Sequence, residues 1–265
     1  MALSIQLEPP EFPLSRLLNI AMLDSHARGV SPVRHLRLEG DAPPRNIPRL
    51  WRPSALGRCQ RAQVYGATGA PKQTLPLDEA QQFVFDRGNV LGAWLAAYIE
   101  AACGVPGGAD VVEKEGVCVA PELAYGGSCD VYLEVGGHGY IVEVKSKESP
   151  KALDKIQAPE PDHLRQLNDY MTMREARAGW VIYFGFHEIE MGERRRMTVR
   201  LREFFHRADP KLWDRTRNII ATNRWFFDDR TLLAPKTSNT WMECPTCPWK
   251  TLCDREITPA QAQAG

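Results

Sequence analysis

Three residues in the middle of this chain have the types and spacing of a hydrolytic centre. Glu143 and Lys145 lie two apart in the stretch IVEVKSK, and Asp130 precedes them in GSCDVYLEV. In an extended strand, residues two apart leave the same face, so the carboxylate and the ammonium project together. A hairpin joining the two stretches brings Asp130 beside Glu143. Two carboxylates that close repel each other unless a cation lies between them. A hard divalent ion with oxygen ligands, Mg2+ or Mn2+, answers that need, and the main-chain carbonyl of Val144 is a further oxygen within reach. Such an ion would polarise a phosphodiester and lower the pKa of a bound water, with Lys145 orienting that water or offsetting developing charge. The same residues also suit a solvated cross-strand ion pair.

Two further sets stand around this one. Gln166 and Tyr170, in HLRQLNDYM, are four apart and so share one face of a helix. Four cysteines form the other set: Cys59 in RPSALGRCQRAQVY, then Cys244, Cys247 and Cys253 in ECPTCPWKTLC. Bonds from these thiolates to one metal centre would clasp the two ends of the chain around the segment between them. Structural zinc and an iron–sulfur cluster both use four cysteines. Cys103, Cys118 and Cys129 sit in apolar or strand-like surroundings and read as ordinary buried thiols.

The elements that must position these groups follow from the pattern. A helix over 54–65 carries Cys59. A long helix, or two short ones broken near Gly88, covers LDEAQQFVFDRGNVLGAWLAAYIEAA. The stretches VVEKEGVCVA, GSCDVYLEV and GYIVEVKSK then alternate at period two, with VGGHG marking a hairpin turn between the last two. A helix over 162–178 follows, then strands in WVIYFGFHE and RMTVRLREF. Asp209 caps a final helix with Pro210 at its first position, running to about Phe227. This order of helix, three strands, helix, two strands, helix implies an α/β sandwich rather than a doubly wound sheet. SRLLNIAML near the N-terminus reads as one more short helix.

Composition adds bounds. The chain has 265 residues, 43% hydrophobic and 25% charged, as in ordinary globular proteins. No apolar run approaches the roughly 18 residues of a membrane span. Acids and prolines occupy the N-terminus where a secretory leader would be basic and then apolar, so a cytoplasmic protein is expected. Seven cysteines, an odd number, argue against a disulfide framework. The net charge of zero divides into +4 over 1–65, −7 over 66–148 and +3 over 149–265. An acidic middle between basic flanks suits a carboxylate metal site beside a phosphate-binding surface, and equally a solvated surface of scattered charge. No Gly-x4-Gly-Lys-Ser/Thr motif is present, so any nucleotide-driven translocation would come from a partner.

Taken together, Asp130, Glu143-x-Lys145 and Gln166-x3-Tyr170 resemble the PD-(D/E)XK nuclease superfamily in its RecB-like branch. Cysteine upstream and Cys-x2-Cys-x5-Cys downstream resemble the iron–sulfur members of that branch: CRISPR-associated RecB-like exonucleases, the AddB nuclease domain and phage relatives. The resemblance implies a restriction-endonuclease-like sandwich, a mixed sheet flanked by helices, closed by a 4Fe-4S cluster on Cys59, Cys244, Cys247 and Cys253. It implies an exonuclease acting on single-stranded or end-bearing DNA with Mg2+ or Mn2+ on Asp130, Glu143 and the Val144 carbonyl. Gln166 and Tyr170 would support the site and the DNA backbone. A recombinase, helicase or CRISPR integration partner is compatible with the group, in recombination, repair, phage replication or spacer processing. The implied domain covers 52–256, between an unassigned extension over 1–51 and a tail over 257–265. Two departures are visible. Cys129 stands where the superfamily name puts proline, and Gly92 stands where relatives often carry a metal-binding histidine, leaving Glu100, Glu113 or a water for that contact. A DNA-binding module that keeps the fold without catalysis, or one stapled by zinc, is the alternative.

Overall fold

The structure is a computed structural model. It describes residues 50–73, 90, 92–147, 150–191, 194–236 and 243–264, with Leu14, Leu18, Asp24, Ala27 and Arg28 as single positions. Apart from Leu18, the expected N-terminal helix lies outside the described residues, as does the Gly88 break. The elements are α1 (Pro53–Leu56), α2 (Gln60–Ala67), β1 (Val111–Ala120), β2 (Tyr125–Val135), β3 (His138–Ser146), α3 (Pro150–Asp154), α4 (Pro161–Met173), β4 (Ala178–Met191), β5 (Arg194–Arg207), α5 (Pro210–Asp228), α6 (Lys250–Asp254) and α7 (Pro259–Ala264). Residues 92–100 are also helical. Among the described residues no helix is long and apolar enough to cross a membrane.

The chain divides into two compact units. One comprises 1–46, 79–118 and 128–208; the other comprises 47–78, 119–127 and 209–265. The first holds the body of a five-stranded sheet in the order β1-β2-β3-β4-β5. The β2–β3 and β4–β5 pairs are antiparallel and β3–β4 is parallel, so the sheet is mixed. The parallel step requires a crossover, and α3 and α4 supply it. Gly136 and Gly137 make the β2–β3 turn with φ of 58° and 75°, the left-handed pair that a tight two-residue hairpin demands.

Alternation along the strands feeds two apolar layers. Val131, Leu133, Tyr140, Val142, Trp180 and Ile182 face one way, against Leu95, Ala96 and Ile99 of the 92–100 helix. Ile141, Val181 and Tyr183 face the other way, against Leu167, Tyr170 and Met171 of α4 and Leu153 of α3. Both faces are thus covered by helices, the α/β architecture expected of a mixed sheet. Two helices differ from expectation. The helix over 54–65 is broken into α1 and α2, with Cys59 just ahead of α2 rather than within a helix, and α4 stops at Met173 rather than near Ala178. Glu175 adopts φ 53°, and Ala176 N–H donates back to Met171 O at 2.8 Å, which ends the helix so that Ala178 can open β4.

The second unit is helical. Asp209 caps α5 by accepting from Lys211 N–H at 2.9 Å, with Pro210 at the first position, as its sequence implies. Tyr65, Ala70 and Ala262 form a small core with Trp249, Leu252 and Ile257 packed on it. Within the expected tail over 257–265, residues 257–264 are described and contribute α7 and the buried Ala262.

Candidate active site

The acidic centre lies on the α4 face of the sheet. Glu143 follows Ile141 in alternation, and parallel pairing sets it beside Val181 and sets Lys145 beside Tyr183, both partners on that face. The antiparallel register pairs Val131 with Val142, so its next step puts Asp130 opposite Glu143. Asp130 Oδ2 accepts from the Val144 N–H at 2.6 Å, fixing the carboxylate against the neighbouring strand.

Glu143 is 2% exposed. Its Oε1 accepts from Lys145 Nζ at 2.6 Å and from Gln166 Nε2 at 2.7 Å. Gln166 Oε1 accepts from Lys145 Nζ at 3.1 Å, and Gln166 Nε2 also donates to the Tyr170 hydroxyl at 3.2 Å. Strand and helix therefore meet through a ring of Glu143, Lys145 and Gln166, with Tyr170 behind it. By contrast, Glu143 Oε2 is buried with no hydrogen-bond partner among the described residues. An ionised carboxylate oxygen in that state is costly, and protonation or a bound cation relieves the cost.

Charge follows the same geometry. Burial pushes the Glu143 carboxyl above the usual carboxylate range, Lys145 pulls it back, and the charge of Glu115 adds to the push. Burial, then the charge of Glu143, raises the Tyr170 phenol, which stays neutral. Cys129 is pushed up by its hydrogen bond with Cys118 and by burial, consistent with an inert thiol.

Of the acids considered for the contact missing at Gly92, Glu100 pairs with Lys114 at 2.6 Å and Glu113 pairs with Arg174 at 2.6 Å. The carboxylate that presses on Glu143 is instead Glu115, which accepts from Ser128 Oγ at 3.0 Å. Strand parity does not announce it, because Glu115 has φ 54° and interrupts the alternation of β1. His163, at the start of α4, is also part of the surroundings: its Nδ1 lies 2.8 Å from the Tyr183 hydroxyl.

The four other cysteines all fall in the second unit, uncrosslinked and half-buried. Cys59 N–H donates to Glu243 Oε2 at 2.8 Å, and Arg61 reaches Cys253 Sγ at 3.8 Å and Ala234 O at 2.6 Å. Tyr65 donates to Ile257 O at 2.5 Å, and Trp249 Nε1 donates to Ala70 O at 3.1 Å. Burial, then the charges of Cys253 and Cys59, raises the Cys244 thiol. Burial raises Cys247 too, against a backbone N–H, and the other three cysteines add to it. The upstream and downstream segments are thus joined, but by ordinary packing and hydrogen bonds. Among the described residues no three His, Cys, Asp or Glu side chains are grouped as metal ligands, so the expected four-cysteine clasp is not formed as a metal site. The donor chemistry suits a metal; the arrangement is not that of a closed ligand shell.

The fold and this site define the class as far as an α/β protein with a mixed five-stranded sheet and a buried acid–lysine–glutamine centre. No protein-family model matches the chain, and no curated protein does. Among solved structures, SSO0001 is similar at 17% identity and TM-score 0.42, over 93% of this chain and 98% of that one. LHK-Exo in complex with dAMP is similar at 13% and 0.38, over 69% and 89%. The alkaline exonuclease LHK-Exo from Laribacter hongkongensis is similar at 11% and 0.35, over 69% and 90%. Likenesses this loose decide neither fold nor activity.

Proposed function

We propose that the protein is a metal-dependent DNA nuclease of the PD-(D/E)XK type, hydrolysing phosphodiester bonds of single-stranded or end-bearing DNA. The observation that supports this reading is Glu143: a buried carboxylate with one oxygen held by Lys145 and Gln166 and the other without a hydrogen-bond partner among the described residues. In this reading Asp130, Glu143 and the Val144 carbonyl hold Mg2+ or Mn2+. Bound there, the ion polarises the phosphodiester and lowers the pKa of a water. Lys145, fixed between Glu143 and Gln166, supplies positive charge at one defined point and orients the attacking water. Gln166 keeps Glu143 and Lys145 in register across strand and helix, and the neutral Tyr170 hydroxyl holds Gln166 in turn.

The four thiols are proposed to hold a 4Fe-4S cluster that completes the second unit. Support comes from the donor set, four uncrosslinked cysteines with a guanidinium beside Cys253. Cluster assembly would have to draw the side chains into a closed shell and remove the thiol protons.

Two measurements test these readings. End-labelled single-stranded DNA is incubated with Mn2+ and with Mg2+, using the protein and its Asp130→Asn variant. Cutting that disappears in the variant is the expected result, and cutting that persists rules the mechanism out. Protein prepared without oxygen should be brown with iron and sulfide bound; a colourless preparation with stoichiometric zinc would replace the cluster by a zinc staple.

A further inference from the structure

Beyond Lys145 the strand carries a second lysine on the same face. Lys147 N–H donates to Phe184 O at 2.9 Å, so the β3–β4 ladder and its alternation extend to this residue. Glu143, Lys145 and Lys147 therefore form one row, with the two lysines about 6.6 Å apart along the strand. Lys147 Nζ lies 5.2 Å from the Tyr183 ring centroid and is ion-paired with Glu160, the residue before α4. Tyr183 accepts from the Glu160 N–H at 2.9 Å, and its hydroxyl lies 2.8 Å from His163 Nδ1. His163 is one turn ahead of Gln166 and two ahead of Tyr170 on α4, so the helix stripe that supports the acidic centre continues to this cluster.

The hydrogen-bond pattern fixes how the cluster is poised. Burial, with the nearby charge of Glu160, pushes the Tyr183 phenol up to about 12, against a backbone hydrogen bond, so it keeps its proton. Having accepted from Glu160, the hydroxyl can give its own hydrogen to His163 Nδ1, and in that tautomer Nε2 carries the imidazole hydrogen. His163 Nδ1 also lies 3.5 Å from Glu160 Oε2. With Nε2 protonated, His163 presents a donor there, and Lys147 presents an ammonium beside it. Glu160 is 49% exposed at its side chain, whereas Lys147 and His163 are 22% and 23% exposed. A solvated carboxylate on a sheltered ammonium is a partner that another anion can displace.

Resting on the nuclease reading, we propose that Lys147 and His163 bind the backbone phosphate next to the one cut at Glu143 and Lys145, with Glu160 occupying Lys147 until that phosphate displaces it. The row along β3 then tracks successive phosphates of one strand, and Tyr183 holds both donors from behind.

The test uses single-stranded oligonucleotides carrying one uncharged methylphosphonate, moved stepwise along the strand. Binding is measured by anisotropy with chelator present, and cutting separately with Mn2+. In the intact protein, one position adjacent to the cut bond should lose affinity on neutralisation. Lys147→Met, which keeps the stem over Tyr183, should lose the same affinity on unmodified DNA and be indifferent to the methylphosphonate there. Its log Kd against log salt should flatten by about 0.7. His163→Phe should show the same indifference, and Glu160→Gln should tighten binding of the unmodified strand. If Lys147→Met keeps the full penalty at every position, or binds DNA as the intact protein does, the subsite is overturned. Absence of cutting in the intact protein would remove the nuclease reading, and the anisotropy series would still decide the subsite.

Discussion

The acidic centre and the cysteine set both gather residues from distant stretches of sequence, but they reach different degrees of closure. At the acidic centre every side chain stands on regular structure: Asp130 on β2, Glu143 and Lys145 on β3, Gln166 and Tyr170 on α4. Backbone pairing sets the strand residues side by side and the packing of α4 on the sheet brings Gln166 to them, leaving Glu143 Oε2 buried with no hydrogen-bond partner among the described residues. The thiols stand mostly at helix margins and in turns, Cys59 just before α2 and Cys244 and Cys247 ahead of α6. There the segments meet through Arg61, Tyr65 and Trp249 while the thiols form no ligand shell. Under the proposed readings, the sheet would preorganise its site before an ion binds, whereas the cysteine segments would depend on the cluster for their final geometry.

Lys145→Met would break this comparison most severely. It removes the cation from a buried carboxylate, and we expect cutting to fall by at least about a hundredfold in the labelled-strand assay. The variant should also lose about 3 kcal/mol of stability in denaturant titration without metal, unless Glu143 takes up a proton. Arg61→Ala probes the other region, where a buried guanidinium reaches Ala234 O and Cys253 Sγ; a loss of about 2 kcal/mol is expected with or without a bound cluster. Cys59→Ala separates the two ideas further. If a cluster forms, this variant should melt earlier than the anaerobic holoprotein and match the chelated protein, and equal melting of all three would argue that no metal contributes to stability.

The pH dependence sharpens the comparison more gently. A folded pKa above the unfolded one means that Glu143 contributes stability below about pH 4, where both states are protonated, and that this contribution is lost as pH rises through the raised value. In chelator, melting followed against pH should show that decline, and Glu143→Gln should remove it. Added Mn2+ should counter the decline, since it favours the ionised form. The smallest effect belongs to Tyr170→Phe. Gln166 keeps its bond to Glu143, so stability should change by about 1 kcal/mol and cutting by only a few-fold.

Much of the acidic centre was legible because it obeys short-range periodicity. Period two places Glu143 and Lys145 together, the paired glycines fix the hairpin, and i,i+4 spacing joins Gln166 to Tyr170. The contributions that were not legible depend on long-range register or broken periodicity. Tyr183 joins Lys147 and His163 through the parallel pairing of β4 with β3, which no local pattern encodes. Glu115 is hidden by its positive φ within β1. The end of α4 was misplaced because Glu175 turns left-handed where a simple count would continue the helix. Spacing among the cysteines singles out four thiols that fall in one unit, and the residues that join their segments, Arg61 and Tyr65, carry no such signature.

The glycine pair between β2 and β3 has one further consequence, for how this chain can change length. Asp130 and Glu143 face each other only while the residues between them are shared evenly by the two strands around that turn. A single residue inserted between Asp130 and Gly136 would either slide β2 against β3 or swell into a bulge, and in both cases the aspartate leaves its place opposite Glu143. Matched insertions, one in each strand, would lengthen the hairpin and leave the acids opposed. The interval between the two motifs is therefore a parity rule, which insertion variants of β2 and β3 can read out without any knowledge of the substrate.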